Sequence, residues 1–299
     1  MTDLHTVGLL SPGDMGHAVG RVLVDHGLRV VTCLEGRSER TRNLAAEAGI
    51  EEVADYRTLV SEGQLILSIV VPAQAVAVAE RVAGAIADAE LRGREGLTYA
   101  DCNAIAPQTA RDVERTITAS GAHFVDAGII GSPPGEGGRN RFYISGGHTG
   151  AMLALNRYGL DVVDLEGEAG QASGLKMCYA ALTKGLTALC TELLVAAEAL
   201  GISEPLAREF QGSQGAMLTR MERGIPGMLP KAHRWIGEME EIARTFGALG
   251  LTPDMLHGAA EMYRLVMRTE LGAHTPEDPR PLPGLDEIIA TLAGALEQP

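Results

Sequence analysis

Thr6-Val7-Gly8-Leu9-Leu10-Ser11-Pro12-Gly13-Asp14-Met15-Gly16 opens the readable part of this 299-residue chain, passing from an apolar run into a glycine-punctuated turn. Thr6–Leu10 reads as a buried strand. Behind the turn, Ala18, Val19, Val22 and Leu23 form the i, i+3, i+4 stripe of a helix lying on a sheet. The turn itself is a variant of the GxGxxG pattern in which Ser11 stands for the first glycine. Gly13 lets backbone N–H groups approach a pyrophosphate, Gly16 lets the helix pack close to the strand, and the helix N-terminus supplies positive potential. Ser11 is small, and its hydroxyl is itself suited to a phosphate. A tight structural βα turn has the same outline, so the rest of the chain has to decide between the two.

Outward from this turn, apolar runs alternate with helical patterns. Strands are expected at Thr6–Leu10, Arg29–Leu34, Leu65–Val70, Leu97–Asp101, His123–Ala127 and Arg141–Ser145, and helices at Met15–His26, Ser38–Ala48, Ala73–Ala87 and Pro107–Ser120. That alternation is the sign of βαβ units and of a parallel sheet covered on both faces. After about Leu165 the pattern changes. Gln171–Leu200 reads as one helix roughly 45 Å long and apolar on most sides, which implies burial by other helices or a second subunit, so a homodimer is expected. Glu204–Arg223, Lys231–Leu249, Pro253–Thr269 and Leu285–Glu297 follow as helices, with Pro276, Pro279, Pro281 and Pro283 marking an extended connection. The expected fold class is α/β: a Rossmann-type doubly wound parallel sheet over 1–165, followed by an all-helical C-terminal domain over 166–299.

Composition narrows the function. Lys+Arg 25 against Asp+Glu 39 gives a net charge of −14, the wrong sign for a phosphate-backbone binder, and 4% aromatic residues leave few stacking platforms for bases. No nucleic-acid partner is expected. The N-terminus lacks the positive region and cleavage site of a secretion signal, and no charge-free apolar window reaches about 18 residues, so no membrane partner is expected and the chain reads as cytoplasmic. Cys33, Cys102, Cys178 and Cys190 form no CxxC pair and have no histidine at metal spacing, so no metal site is expected and the thiols are read as reduced. Only three of the 25 cationic residues are lysine: Lys176, Lys184 and Lys231. Each is informative because lysine, unlike arginine, releases its proton when burial lowers its pKa.

At the end of the second strand, Glu35 lies nineteen residues beyond Gly16, near the distance at which an acid binds the ribose 2′-OH of NAD. Arg37, Ser38 and Arg40 point the other way, because guanidinium and hydroxyl groups suit a 2′-phosphate. NADP is the expected cofactor and NAD the alternative. The same charges also describe a solvated loop with Ser38 as a helix N-cap, a reading compatible with either nucleotide.

Four segments, in order, resemble the β-hydroxyacid dehydrogenase superfamily, which includes 3-hydroxyisobutyrate and 6-phosphogluconate dehydrogenases. Gly13-Asp14-Met15-Gly16 resembles the latter part of its GLGxMG cofactor turn, and Asp101-Cys102-Asn103-Ala104-Ile105-Ala106-Pro107 its DxSTxxP loop. Asp126-Ala127-Gly128-Ile129-Ile130-Gly131-Ser132 falls where that superfamily has DAPVSGG, and Gly170-Gln171-Ala172-Ser173-Gly174-Leu175-Lys176 where it has GxGxxxK. The resemblance implies a small-molecule oxidoreductase in which Lys176 is the general acid/base while hydride moves to or from a nicotinamide. A lysine flanked by Leu175 and Met177 at the start of a buried helix is desolvated, which lowers its pKa toward the working range. Lys184 is the rival, about 80° further round the helix.

The departures carry information too. Where the superfamily has an asparagine three residues after its lysine, this chain has Tyr179, which either takes over that hydrogen bond through its phenol or packs as core. The substrate loop reads Ile130-Gly131-Ser132-Pro133-Pro134; Gly131 and Ser132 retain backbone donors for a carboxylate, while the prolines remove two N–H groups. Val71 and Pro72, after the third expected strand, and Asn103 at the next strand end lie at the carboxyl edge of the sheet, where such sheets bind ligands; Asn103 is read either as a nicotinamide contact or as a turn former. Lys231, His233 and Trp235 form a polar and aromatic group beside Pro230, with His233 the candidate substrate contact. An NAD(P)-dependent dehydrogenase acting on a small hydroxy acid or sugar acid is the principal expectation. A dinucleotide-binding sensor without chemistry and a C=N reductase of the imine reductase type are the alternatives, and retention of Lys176 argues against the latter.

Overall fold

The computed structural model describes residues 4–88, 96–135, 140–276, 278 and 280–296. Two compact units result, Met1–Met177 and Cys178–Pro299, so the division falls beyond the 165/166 boundary expected from sequence.

In the first unit the elements run β1 (Thr6–Leu10), α1 (Asp14–Asp25), β2 (Arg29–Cys33), α2 (Glu39–Glu47), β3 (Glu51–Val53), α3 (Tyr56–Glu62), β4 (Leu65–Ser68), α4 (Ala75–Asp88), β5 (Thr98–Asp101), α5 (Pro107–Ala119), β6 (His123–Gly131), β7 (Asn140–Ser145), α6 (Gly150–Ala154) and β8 (Val162–Asp164); α7 (Gln171–Ala180) begins in this unit. They build one eight-stranded sheet in the order β3-β2-β1-β4-β5-β6-β7-β8. Every neighbouring pair is parallel except β6 and β7, which run antiparallel with Asp126 opposite Ser145. Because side chains alternate across a strand, Val7, Leu9, Leu65, Leu67, Val125 and Ala127 bury against one helical layer with Val19 and Leu23 of α1. Leu10, Val31, Ile66, Tyr99 and Phe124 bury against the other, with Leu59 of α3, Val82 of α4 and Val113 of α5. The doubly wound sheet is therefore present as expected.

The differences have local causes. β3 is only three residues long and begins with two exposed glutamates, so no apolar run marks it. α3 is started by Asp55, whose carboxylate accepts from the Thr58 N–H at 2.7 Å, a cap that was readable in the sequence but not read. β6 continues past Ala127 to Gly131, and that extension pairs with β7.

The elements of the second unit are all helices among its described residues. A π-helical segment (Ala181–Gly185) follows α7, then α8 (Leu186–Ala199), α9 (Ser203–Ser213), α10 (Gly215–Met228), α11 (Ala232–Ala248), α12 (Asp254–Met267) and α13 (Leu285–Gly294). The expected helix 204–223 is thus two helices that part at Gln214, between Gly212 and Gly215, where glycine favours a break. Pro279 and Glu297, assigned above to the connection and to the last helix, lie outside the described residues. The run Gln171–Ala199 is long and apolar enough to cross a membrane by length and composition, with 33% of its most apolar window buried. It carries Lys176, Lys184 and Glu192, and its α8 part packs against α10, α12 and α13.

Candidate active site

The turn after β1 has the geometry an anion requires. Ser11 adopts φ +60°, the left-handed region where glycine is the easy occupant, and its carbonyl accepts from the Gly13 N–H at 2.7 Å. A side chain on Gly16 would meet the Ser11 carbonyl oxygen at 2.8 Å, which is why helix and strand can close here only over a glycine. Gly13 is the opposite case. A Cβ there meets nothing within 4 Å, and as N-cap of α1 it offers no side chain to the helix's first N–H groups. A glycine open to solvent over an uncapped helix N-terminus, formed by Pro12, Gly13, Asp14, Met15 and Gly16, fits a dinucleotide pyrophosphate.

Beside this turn the charged residues after β2 sit on exposed surface. Arg40 pairs with Asp14, Glu35 pairs with Arg81 of α4, and Arg37 donates to Gln74 at 3.4 Å. Ser38 caps α2, accepting from the Thr41 N–H at 3.3 Å. Val71 is 44% exposed and Pro72 opens a short 3-10 turn. Asn103 holds that turn: its Oδ1 accepts from the Val70 N–H at 2.6 Å and its Nδ2 donates to Ser68 Oγ at 3.1 Å. With both amide groups engaged and 3% exposure, the Asn103 side chain positions the edge of the sheet, and the expectation of a direct nicotinamide contact through it gives way to that task.

Lys176 lies on α7, and strand β6 is built to receive that helix. Asp126, fully buried in the middle of β6, accepts from Ser173 Oγ at 2.5 Å, the Gly170 N–H at 2.8 Å, the Ser173 N–H at 3.0 Å and Ser145 Oγ at 3.1 Å. Ser145 Oγ in turn accepts from the Ala172 N–H at 3.0 Å. Three N–H groups that the start of the helix leaves free are thereby fixed to the sheet. Gly128, on the same strand face, leaves room for close approach; a Cβ on it would stand 2.6 Å from the Ala172 carbonyl oxygen and 3.0 Å from Lys176 Cβ. One residue further on, the Ile129 carbonyl accepts from Lys176 Nζ. Burial lowers the Lys176 pKa to about 8, so the amine exchanges its proton close to neutrality. Gly131, at φ +120°, and Ser132 follow on exposed chain at the end of β6.

Behind this edge lies a second buried carboxylate. Asp101 is the register partner of Asp126, accepts from the Asn103 N–H at 3.0 Å, and is pushed up to about 7 by burial, with the neighbouring Asp126 adding to the rise. Burial raises Asp126 as well, against its four donors. Sequence reasoning quoted both aspartates without giving them a role. The available signal was a charge inside an otherwise apolar strand run, His123-Phe124-Val125-Asp126-Ala127, which has to find donors. Arg81 left no such signal, standing 46 residues from its partner Glu35.

In the second unit, Lys184 is an internally paired residue. Its ammonium meets the Glu238 carboxylate, both side chains 14% exposed, and lies 5.5 Å from the Trp235 ring centre. Its carbonyl accepts from Tyr263 Oη at 2.6 Å, and Trp235 stacks edge-on to the Tyr263 ring at 5.3 Å. Trp235 therefore belongs with Lys184 and Tyr263, whereas Lys231 and His233 are exposed around the first turn of α11, so the expected grouping of the three does not form. Tyr179 is 47% exposed, which sets aside its packing as core within that unit. Among the described residues, no group of three or more His, Cys, Asp or Glu is arranged to hold a metal ion.

Comparison with known proteins gives this geometry a context. Residues 6–157 match the NAD binding domain of 6-phosphogluconate dehydrogenase, and residues 197–266 match a domain of unknown function, DUF1932. An uncharacterized 28.5 kDa protein in the 7S RNA 5′ region of Methanothermus fervidus is 25% identical over 86% of this chain and 97% of its own length. Among solved structures, the conserved protein MTH1747, described as structurally similar to 3-hydroxyacid dehydrogenases, is 29% identical, covers 88% of this chain and 97% of its own, and superposes with a TM-score of 0.66. The Mycobacterium tuberculosis 3-hydroxyisobutyrate dehydrogenase with L-serine shares the fold at 19% identity, covering 97% of this chain and 99% of its own with a TM-score of 0.70.

Proposed function

We propose a function that starts from membership: this chain belongs to the family of the NAD binding domain of 6-phosphogluconate dehydrogenase, and it is an oxidoreductase that uses a nicotinamide dinucleotide. The finer reading is that it binds NADP in preference to NAD and interconverts a hydroxyl and a carbonyl on a small carboxylate-bearing hydroxy acid or sugar acid, with Lys176 as the proton donor and acceptor. The observation that carries it is a lysine whose amine donates to the Ile129 carbonyl, on a helix tied to β6 through Asp126 and to β7 through Ser145 and seated closely over Gly128, where burial lowers its pKa to about 8.

Each part of the site has a task in that reading. Ser11 to Gly16 and the first N–H groups of α1 hold the pyrophosphate; Arg37 and Ser38 face the 2′-phosphate; Val71 and Pro72, kept in place by Asn103, border the cofactor. A nicotinamide dinucleotide held there would supply the hydride acceptor or donor. Neutral Lys176 takes the hydroxyl proton as the alcohol is oxidised, and the ammonium returns a proton to the carbonyl oxygen in the reverse direction. The Ile129 carbonyl fixes the direction from which the amine acts. Gly131 and Ser132 offer backbone donors to the substrate carboxylate. The chain acts as a homodimer, the exposed Leu182 and Leu189 being covered by a second copy.

The test is a panel of hydroxy acids, sugar acids, their keto forms and imines, followed at the nicotinamide absorbance. Lys176→Met is expected to keep cofactor affinity within a few-fold while turnover falls by orders of magnitude. Unchanged turnover removes the lysine from the reaction, and nucleotide binding without turnover of any compound points to a sensor.

A further inference from the structure

We infer that Arg81 is a specificity-determining residue for the cofactor, held in reserve on Glu35 and transferred to the adenosine 2′-phosphate when NADP(H) binds. This rests on the dinucleotide reading above and extends it to a residue outside the fingerprint turn and outside the loop after β2.

Four observations converge. Glu35 is the acid placed by sequence spacing to take the ribose 2′-OH of NAD, but its carboxylate is engaged by the Arg81 guanidinium. Arg81 itself is steadied from below: its guanidinium carbon lies 4.3 Å over the ring of Tyr56, which is buried at 7% exposure. Stacking of this kind fixes the guanidinium plane and leaves its edge for an anion. The loop after β2 is tied a second time where Arg37 donates to Gln74, in the 3-10 turn just before α4, so a second guanidinium on that loop is held on the side from which α4 starts. Finally, the Glu35 and Arg81 side chains are 63% and 50% exposed, within reach of a ligand from solvent.

Exposed ion pairs are weak, so this one exchanges readily. A 2′-phosphate carries more charge than a carboxylate and matches the planar fork of an arginine in two hydrogen bonds. With Arg81 on the phosphate, Glu35 swings to solvent. With NAD, no phosphate competes, Arg81 stays on Glu35, and the acid is withheld from the ribose hydroxyls. The same pair therefore favours one nucleotide and disfavours the other.

The experiment is a nicotinamide-fluorescence titration of the full chain and of Arg81→Ala, Arg81→Gln and Glu35→Gln with NADPH and NADH, with adenosine 2′,5′-bisphosphate as competitor. Both Arg81 variants are expected to weaken NADPH and the bisphosphate by tenfold or more while NADH changes by less than threefold. Glu35→Gln, which frees Arg81, is expected to strengthen NADPH. Equal losses for both nucleotides in the Arg81 variants, or a tenfold loss of NADH with no gain in NADPH in Glu35→Gln, would overturn the assignment and make Glu35 the ribose acid. A wild-type chain that binds neither nucleotide refutes the underlying reading instead, so the two failures are distinct.

Discussion

Gly128→Ala tests whether the close seat of α7 on β6 sets the position of Lys176. The added methyl would stand 2.6 Å from the Ala172 carbonyl oxygen, 3.3 Å from its carbon and 3.0 Å from Lys176 Cβ. Restoring an ordinary contact of about 3.4 Å moves the first turn of the helix outward by roughly 0.8 Å. That displacement acts on the bonds holding the same turn, the 2.8 Å and 3.0 Å links from Gly170 and Ser173 to Asp126 and the 3.0 Å link from Ala172 to Ser145. Overpacking of this kind costs about 1–3 kcal/mol, and at about 2–4 °C per kcal/mol the unfolding midpoint falls by roughly 2–12 °C. A proton donor misplaced by about 1 Å loses up to about 100-fold in turnover. Circular dichroism melts and turnover at saturating cofactor are the assays, with Gly84→Ala as control: Gly84 is exposed on α4 with open space around its Cα, and alanine there stabilises the helix by up to about 1 kcal/mol. A Gly128→Ala protein that melts within a degree of wild type refutes the packing argument, and one that melts lower but turns over normally refutes its link to catalysis.

Further expectations follow from the same geometry. For Lys176, lowered to about 8, kcat/KM for alcohol oxidation rises with pH and levels off above about 8, while carbonyl reduction falls above that point; a profile flat from pH 6 to 10 contradicts the assignment. Asp101, raised from 3.8 to about 7, binds a proton more tightly in the folded chain, so its contribution is most favourable below about pH 4 and is lost as pH climbs to about 7. The difference, about 4 kcal/mol by linkage, predicts that Asp101→Asn is more stable than wild type at pH 8 and loses that advantage by pH 4; urea melts at the two pH values decide it. Arg37→Ala weakens NADPH more than NADH in the same fluorescence titration, and an equal loss for both counts against a 2′-phosphate contact. Light scattering is expected to give about twice the 31.5 kDa chain mass, and a monomer mass removes the homodimer.

Much of this was legible because backbone chemistry writes itself into short windows. The turn from Ser11 to Gly16 needs glycine at Gly16 for contact and at Gly13 for openness, and both requirements show as residue types. β1, β2, β4 and β5 are buried along nearly their whole length because both sheet faces are covered, and the apolar residues this requires mark them in the sequence. What escaped was set by distance along the chain. Asp126 meets Gly170 and Ser173 across 44 and 47 residues, and no window of sequence contains both ends. β7 runs antiparallel to β6, pairing along it from Asp126 opposite Ser145 to Gly131 opposite Asn140, a matter of register rather than of composition. Asn103 was placed at the correct edge, but its amide serves Val70 and Ser68, partners visible only when β4 and β5 lie side by side. For Lys184, sequence could name a rival but not Glu238, the carboxylate that pairs it.

Every role proposed for the site depends on a nicotinamide dinucleotide binding at the turn before α1. The most direct measurement is calorimetric titration of the wild-type chain and of Gly13→Val with NADPH and NADH, since a valine at Gly13 fills the open space above the helix N-terminus without touching any neighbour within 4 Å of its Cβ. Saturable binding of one nucleotide per wild-type chain, tighter for NADPH, is expected, with its loss in a Gly13→Val protein that melts as wild type does. Heats indistinguishable from dilution for both nucleotides, or undiminished binding by Gly13→Val, would contradict it.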